Sequence, residues 1–408
     1  MDNFPNNSCP NIIIFSDCSN KIVHKDTFYD MDFEFDTIQV SDLYSLEQYF
    51  LKYKRAIDMI VIQCKNISVA LDSYLQNLPI YYSSRVALYN DWNNHAKDLY
   101  DILYRQMLGV CDPLVSFITP LYKTSKKYFY ELYESLKKQT VNNWEWILVD
   151  DSPIGEECEF AKESTSYDKR LYYYRIEPSN GNIGLSKWRA NCMSTGKWLI
   201  ELDHDDIILP FTVAYIEDAA RKYPDAGFIY SSNANLNGDN EFIDKIWGDA
   251  WGYMFGKNDY VYCDYYGKDI PFIHTPINEC TMLDIISAPN HLRCWRRDIY
   301  FKVGGHSQYY RACDDYELMV RTFLETKFIH IMYPLYIQRY EGQNTQYKSS
   351  NIIDINIRKR YVIKFYYDRI KNMFKERYGI DILGDTYDDA IYYYSNNPDK
   401  AHNVEYVY

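Results

Sequence analysis

The chain has 408 residues, with 44 Lys and Arg against 57 Asp and Glu, a formal charge of −13. That acidity excludes a nucleic-acid backbone or an anionic membrane as the main partner, since both need a basic surface. Apolar residues at 47% and charged residues at 25% exclude wholesale disorder, and the length predicts more than one domain.

The N-terminal MDNFPNNSCP lacks the basic and apolar regions of a signal peptide, and no apolar run approaches the ~18 residues that span a bilayer. The expectation is a soluble, cytoplasmic chain. Its ten cysteines contain no C-x-x-C pair, which fits reduced thiols better than a zinc site or a disulfide framework. Ile12–Phe15 and Met59–Ile62 read as buried strands. Between them Leu43, Leu46, Phe50 and Leu51 have helical spacing behind a capping Ser41 or Asp42. Residues 1–83 therefore read as a small α/β accessory unit and residues 84–112 as a helical connector.

From Pro113 the texture changes. Leu114–Ile118 predicts a strand ending at Thr119-Pro120, followed by a helix from about Ser125 to Gln139 with Phe129, Leu132 and Leu136 on one face. Trp146–Val149 is the next strand and stops at Asp150-Asp151. A third strand, Trp198–Leu202, runs into Asp203, Asp205 and Asp206. Polar residues at the carboxyl ends of strands mark the ligand edge of an open α/β sheet. Beyond residue 345 the pattern is helical again, as in Arg358–Arg377, and residues 346–408 read as a helical C-terminal extension.

The segment Asp203-His204-Asp205-Asp206 carries the strongest chemical signal. In an extended chain residues i and i+2 face the same way, so Asp203 and Asp205 can present two carboxylates to one Mn²⁺ or Mg²⁺. An acidic chain needs such an ion to hold a diphosphate. A solvated acidic loop is the plain alternative. Tyrosine, at 44 residues, has two accounts: the codon bias of a low-GC genome, or a sugar- or base-stacking surface.

The blocks VSFITPLYKT, ESLKKQTVNNWEWILVDDS, GNIGLSKWRAN, GKWLIELDHDD, YPDAGFIYSS, VGGHSQYYRACDDYELMVRT and PLYIQRYEGQNT occur in order between Pro113 and about Thr345. In that order they resemble family 2 glycosyltransferases of the GT-A fold, of the DHDD type associated with O-antigen, cell-surface and giant-virus glycans. The resemblance implies an α/β fold with a Rossmann-like mixed sheet over residues 113–345. It implies that Pro120, Tyr122, Asp150, Asp151, Arg189 and His204 bind the nucleotide sugar, one Asp accepting from the base edge. Asp203 and Asp205 would hold Mn²⁺ or Mg²⁺, and Asp315 would act as general base. Trp247, Trp251 and Asp314 would meet the acceptor, with Trp295 on the same side. The implied reaction is inverting transfer of a hexose from a UDP-hexose, UDP-glucose or UDP-galactose foremost, to a glycan or glycoprotein, collagen-like acceptors included. A catalytically inactive GT-A module serving as a binding scaffold is the alternative reading.

Two departures stand out from the family pattern. Trp188 replaces a small residue, and Ile337 occupies the place of a metal-binding histidine found in the last strand of some members. That leaves His291, His306 and His330 as candidates for a third ligand. Residues 1–110 remain open between acceptor binding, homodimerisation and a degenerate second transferase domain.

Overall fold

The computed structural model describes residues 11–16, 36–40, 59–63, 86–88, 113–176, 183–243, 259–273, 277, 282, 289–307, 313–340, 349–378 and 404–407. The chain divides into two compact units, Met1–Cys111 and Asp112–Tyr408. In the first, β1 (Asn11–Ser16), β2 (Asp36–Val40), β3 (Met59–Gln63) and β4 (Val86–Leu88) form a parallel sheet in the order β2-β1-β3-β4. The two expected strands are its centre. Val86–Leu88, expected to open a helical connector, is instead a fourth strand paired with Ile60–Ile62, a role that its β-branched and apolar residues suit. The expected helix between Ser41 and Ala56 lies outside the described residues.

The second unit opens with β5 (Val115–Leu121), α1 (Lys126–Lys137), β6 (Trp144–Asp150), α2 (Glu159–Ser164) and β7 (Leu171–Arg175). Then come α3 (Ile183–Cys192), β8 (Trp198–Glu201), β9 (Ile207–Ile208), α4 (Thr212–Lys222) and β10 (Ala226–Asn237). A hairpin of β11 (Asp259–Cys263) and β12 (Lys268–Phe272) follows, then β13 (Arg293–Arg296), α5 (Arg297–Lys302) and α6 (Asp314–Glu325). The unit ends with β14 (Lys327–Tyr340), α7 (Ser349–Tyr378) and β15 (Val404–Val407). The main sheet has the order β15-β14-β10-β13-β8-β5-β6-β7, with β9 paired to β14. Only β13 and β9 run antiparallel to their neighbours, so the sheet is mixed, as expected for the GT-A class.

Period-two alternation builds the core. Val115 and Phe117, Trp144, Trp146 and Leu148, and Trp198 and Ile200 share one face, buried beneath Phe129, Leu132 and Leu136 of α1 and Val213 and Ile216 of α4. Phe129 stacks on Trp146 with ring centroids 5.2 Å apart. The residues between them face the other layer, where Ser116 donates to Glu145 and Trp295 packs on Phe228. The C-terminal extension is corrected in one respect: it includes β15, which pairs with Phe328–Ile331 and covers an edge of the sheet. Its helix α7 turns a stripe of Val362, Tyr366, Ile370 and Met373 inward. Among the described residues no helix is long and apolar enough to cross a membrane.

Candidate active site

Strands β5 and β8 separate at their carboxyl ends, and that gap defines the site. Their ladder closes at Ile118 opposite Glu201, while β5 continues beside β6 as far as Leu121 opposite Asp150. Pro120 thus lies inside β5, one residue before its end, where the missing N–H costs no bond to β8. Such a divergence is where open α/β sheets bind ligands.

Past Glu201 the chain does not remain extended, contrary to the sequence expectation. It turns, with the Asp206 N–H reaching back to the Asp203 carbonyl at 3.4 Å. Asp206 anchors the turn. Its buried carboxylate accepts from the Tyr336 hydroxyl at 2.7 Å and from the Arg339 N–H at 2.6 Å. The Arg339 guanidinium donates to the Asp205 carbonyl at 2.9 Å and to Glu131 at 2.6 Å. Asp203 and Asp205 stay only partly covered at the mouth. Burial, then repulsion by Asp203, raises the Asp205 carboxyl above its usual range, although neighbouring His204 opposes this. Two hard carboxylates in a half-buried turn could serve as donors to a Mn²⁺ or Mg²⁺ ion.

Of the three histidine candidates, His291 is the one beside this turn. Its Nε2 lies 3.5 Å from the Asp203 carboxylate and its ring stacks on Tyr336. Burial holds its pKa down at about 4, so the imidazole is neutral near pH 7. His330 is fully buried, stacked on Tyr230 with its Nε2 3.4 Å from Ser232, a core role. His306 shares a 2.8 Å hydrogen bond with the Tyr300 hydroxyl beneath the site.

Asp315 is the second residue of α6, whose N-terminus meets the same edge through Arg293. Its Oδ1 accepts from the Tyr316 N–H at 2.8 Å, and its Oδ2 accepts from Arg293 at 2.7 Å. Arg293 opens β13 directly across from Glu201, the last residue of β8, because the two strands are antiparallel. The guanidinium therefore also reaches Glu201 at 3.3 Å. Burial pushes the Asp315 carboxyl up, but the charges of Arg293 and Lys187 and the Arg293 hydrogen bond together outweigh it and hold the group below its usual range. Asp314, expected at the acceptor, is corrected. Its side chain is buried, 3.8 Å from His306 and 4.0 Å from Lys187. As the first residue of a helix, it points into the fold while its neighbour points out.

On the nucleotide side, Tyr122 is exposed and Pro120 half-buried at the end of β5. Asp150 is fully buried and already engaged: it accepts from the Ser152 N–H at 2.9 Å, the Cys158 N–H at 2.7 Å and the Tyr173 hydroxyl at 2.7 Å. That engagement makes it a framework residue instead of a base-edge acceptor. Asp151 is also buried and accepts from Ser186 of α3 at 2.5 Å. Arg189 lies half-buried in the last turn of α3, and His204 lies in the Asp203–Asp206 turn. Trp295 is core, its indole N–H bonded to Thr322 at 3.0 Å. Trp247 and Trp251 lie outside the described residues.

Sequence reasoning missed Lys187, Glu201 and Arg293. For Glu201 and Arg293 the signal is a charge between apolar neighbours, WLIEL and LRC, whereas Lys187 in LSKWR, with Ser186 and Arg189 beside it, carries none.

Residues 116–278 match the family model for glycosyl transferase family 2. Over 106 residues the chain is 37% identical to an uncharacterized glycosyltransferase of Methanocaldococcus jannaschii, covering 26% of this chain and 36% of that protein. Over 240 residues it is 23% identical to a chondroitin synthase of Escherichia coli, covering 59% of this chain and 31% of the relative. The chain thus spans about a third of the length of each. A crystal structure of S. aureus TarS 1-349 in complex with UDP-GlcNAc is similar at a TM-score of 0.45 and 16% identity, over 64% of this chain and 73% of that one. The matched stretch, residues 116–278, contains Asp203 and Asp205 at the diverging strand ends and is similar to glycosyl transferase family 2.

Proposed function

We propose that the second unit transfers a hexose from a nucleotide sugar, UDP-glucose or UDP-galactose foremost, to a hydroxyl of a glycan or glycoprotein, with inversion at the anomeric carbon. The observation carrying this reading is that one sheet edge gathers the Asp203–Asp205 turn and Asp315, linked through Glu201 and Arg293. Asp203 and Asp205 would hold Mn²⁺ or Mg²⁺, which supplies charge neutralisation for a departing diphosphate. Among the described residues no three His, Cys, Asp or Glu side chains form a closed metal cage.

Asp315 takes the proton from the acceptor hydroxyl as that oxygen bonds to the anomeric carbon, while the bond from that carbon to the diphosphate breaks. Tyr122 and Pro120 border the nucleotide. The similarity to a chondroitin synthase of Escherichia coli supports a glycan acceptor.

The test is nucleotide release from UDP-, GDP- and TDP-sugars with Mn²⁺ or with EDTA, repeated with candidate acceptors. One UDP-hexose should stand out with Mn²⁺ and vanish with EDTA. Asp315→Asn should lower its turnover by about 10²–10⁴-fold while leaving UDP binding intact. Tight Mn²⁺-dependent UDP binding with no turnover of any donor or acceptor would assign a binding module instead.

A further inference from the structure

Beneath the site lies a chain of alternating charges that the apolar sheet has no packing need for. Lys187 of α3 pairs with Glu201 of β8 and stands 4.0 Å from Asp314. Glu201 meets Arg293 at 3.3 Å and His306 at 3.7 Å, and Arg293 meets Asp315 at 2.7 Å. Arg293 makes both of its carboxylate contacts through Nη1, while its Nε is fixed on the Pro289 carbonyl at 3.0 Å. The side chains of Glu201 and Arg293 are each 3% exposed and that of His306 is 1%, whereas Asp315 is 26% exposed. The buried ions of this network therefore stand behind one carboxylate that faces the crevice. Buried ion pairs are weak devices for stability, so their retention calls for another account.

Resting on the general-base reading of Asp315, we propose that Arg293 is its positioning residue, clamping Oδ2 and keeping the carboxylate ionised and aimed at the acceptor hydroxyl. A guanidinium suits this task because it stays charged and its Nη1 alone carries two N–H donors, here directed at Glu201 behind and Asp315 in front. Glu201 in turn keeps the guanidinium from being a lone buried cation. The charged groups around Asp315 are Arg293 from β13, Lys187 from α3, Glu201 from β8 and Asp314 on its own helix. Without Arg293, the nearby Glu201 and Asp314 and the burial of the site would all favour a protonated, inactive Asp315.

The experiment compares Arg293→Gln, Arg293→Lys and Asp315→Asn by the pH profile of donor turnover, with the thermal shift by UDP plus Mn²⁺ as the binding readout. Arg293→Gln should move the acidic limb up by about 1–3 pH units and lower kcat near pH 7 by about tenfold or more, with the UDP shift retained. Arg293→Lys keeps the charge and should keep the limb low, losing kcat only through geometry. If Arg293→Gln does not fold, the double variant Glu201→Gln/Arg293→Gln, which removes both charges, should show the limb displaced in the same direction by a smaller amount, since Glu201 no longer raises Asp315 and Lys187 still lowers it. A folded neutral variant with the wild-type limb and kcat, alongside an inactive Asp315→Asn, overturns the positioning role alone. An active Asp315→Asn overturns the general-base reading itself, and the positioning role with it.

Discussion

Asp150 and Asp151 are adjacent and chemically identical, yet the fold gives them different work. The Asp150 carboxylate ends β6 and collects two backbone N–H groups and the Tyr173 hydroxyl, with Arg175 3.6 Å away. Removing it strands all of these donors in a dry interior. Asp150→Ala is expected to cost about 3–5 kcal/mol, the usual penalty for breaking a buried charged network. Tyr173→Phe, which removes one bond and keeps the shape, should cost about 1 kcal/mol. Urea unfolding measures both; an Asp150→Ala midpoint equal to that of wild type would sink this account. The distinction was not legible in VDDS. Which of two neighbouring buried carboxylates collects the framework bonds depends on Tyr173 and Cys158, and neither belongs to that motif.

At the scale of elements, the aim of Asp315 depends on the turn before α6 and the helix behind it. Gly304 and Gly305 have φ of +91° and +63°, and a Cβ on Gly305 would sit 2.7 Å from the Tyr300 ring. That ring cannot retreat easily, since its hydroxyl accepts from the His306 N–H at 3.1 Å and bonds its imidazole. Arg321 closes the turn by donating to the Gly305 carbonyl at 2.7 Å. It is held by Glu317, which the Tyr366 hydroxyl of α7 also reaches at 2.8 Å. Gly305→Ala combines left-handed strain with an overpacked contact, and should cost about 2–4 kcal/mol. Because the displaced element is α6, donor turnover should fall by more than the UDP affinity does. Equal losses in both would place the Gly-Gly turn on the donor side instead.

Much at this scale could be read in advance. The Gly-Gly pair, the strands flanking α1 and the long C-terminal helix all carry strong periodic or turn signals. Strands β13 and β15 carry none, since RCWR and VEYV are four residues long and broken by charge. Their pairing is decided by partners far along the chain. The Arg293–Glu201 contact was hidden for the same reason: it follows from an antiparallel insertion between β8 and β10.

At the scale of the whole molecule, the main sheet is closed on its own resources. Its outer strands, β7 and β15, and every strand between them come from residues 115–407. The first unit likewise completes its four-stranded parallel sheet from residues 11–88. Two sheets with no shared ladder predict two independently folding bodies. A fragment of residues 112–408 is large enough to bury a full core, and should melt cooperatively. It contains the Asp203–Asp205 turn, Arg293 and Asp315, and should show the same thermal shift with UDP plus Mn²⁺ as the full chain. Differential scanning calorimetry of the fragment beside the full chain is the check. Loss of that shift in a folded fragment would mean that residues 1–111 contribute to the donor site. An intact shift with lost transfer to an otherwise competent acceptor would place the first unit on the acceptor side, and a native-mass measurement would separate that outcome from dimerisation.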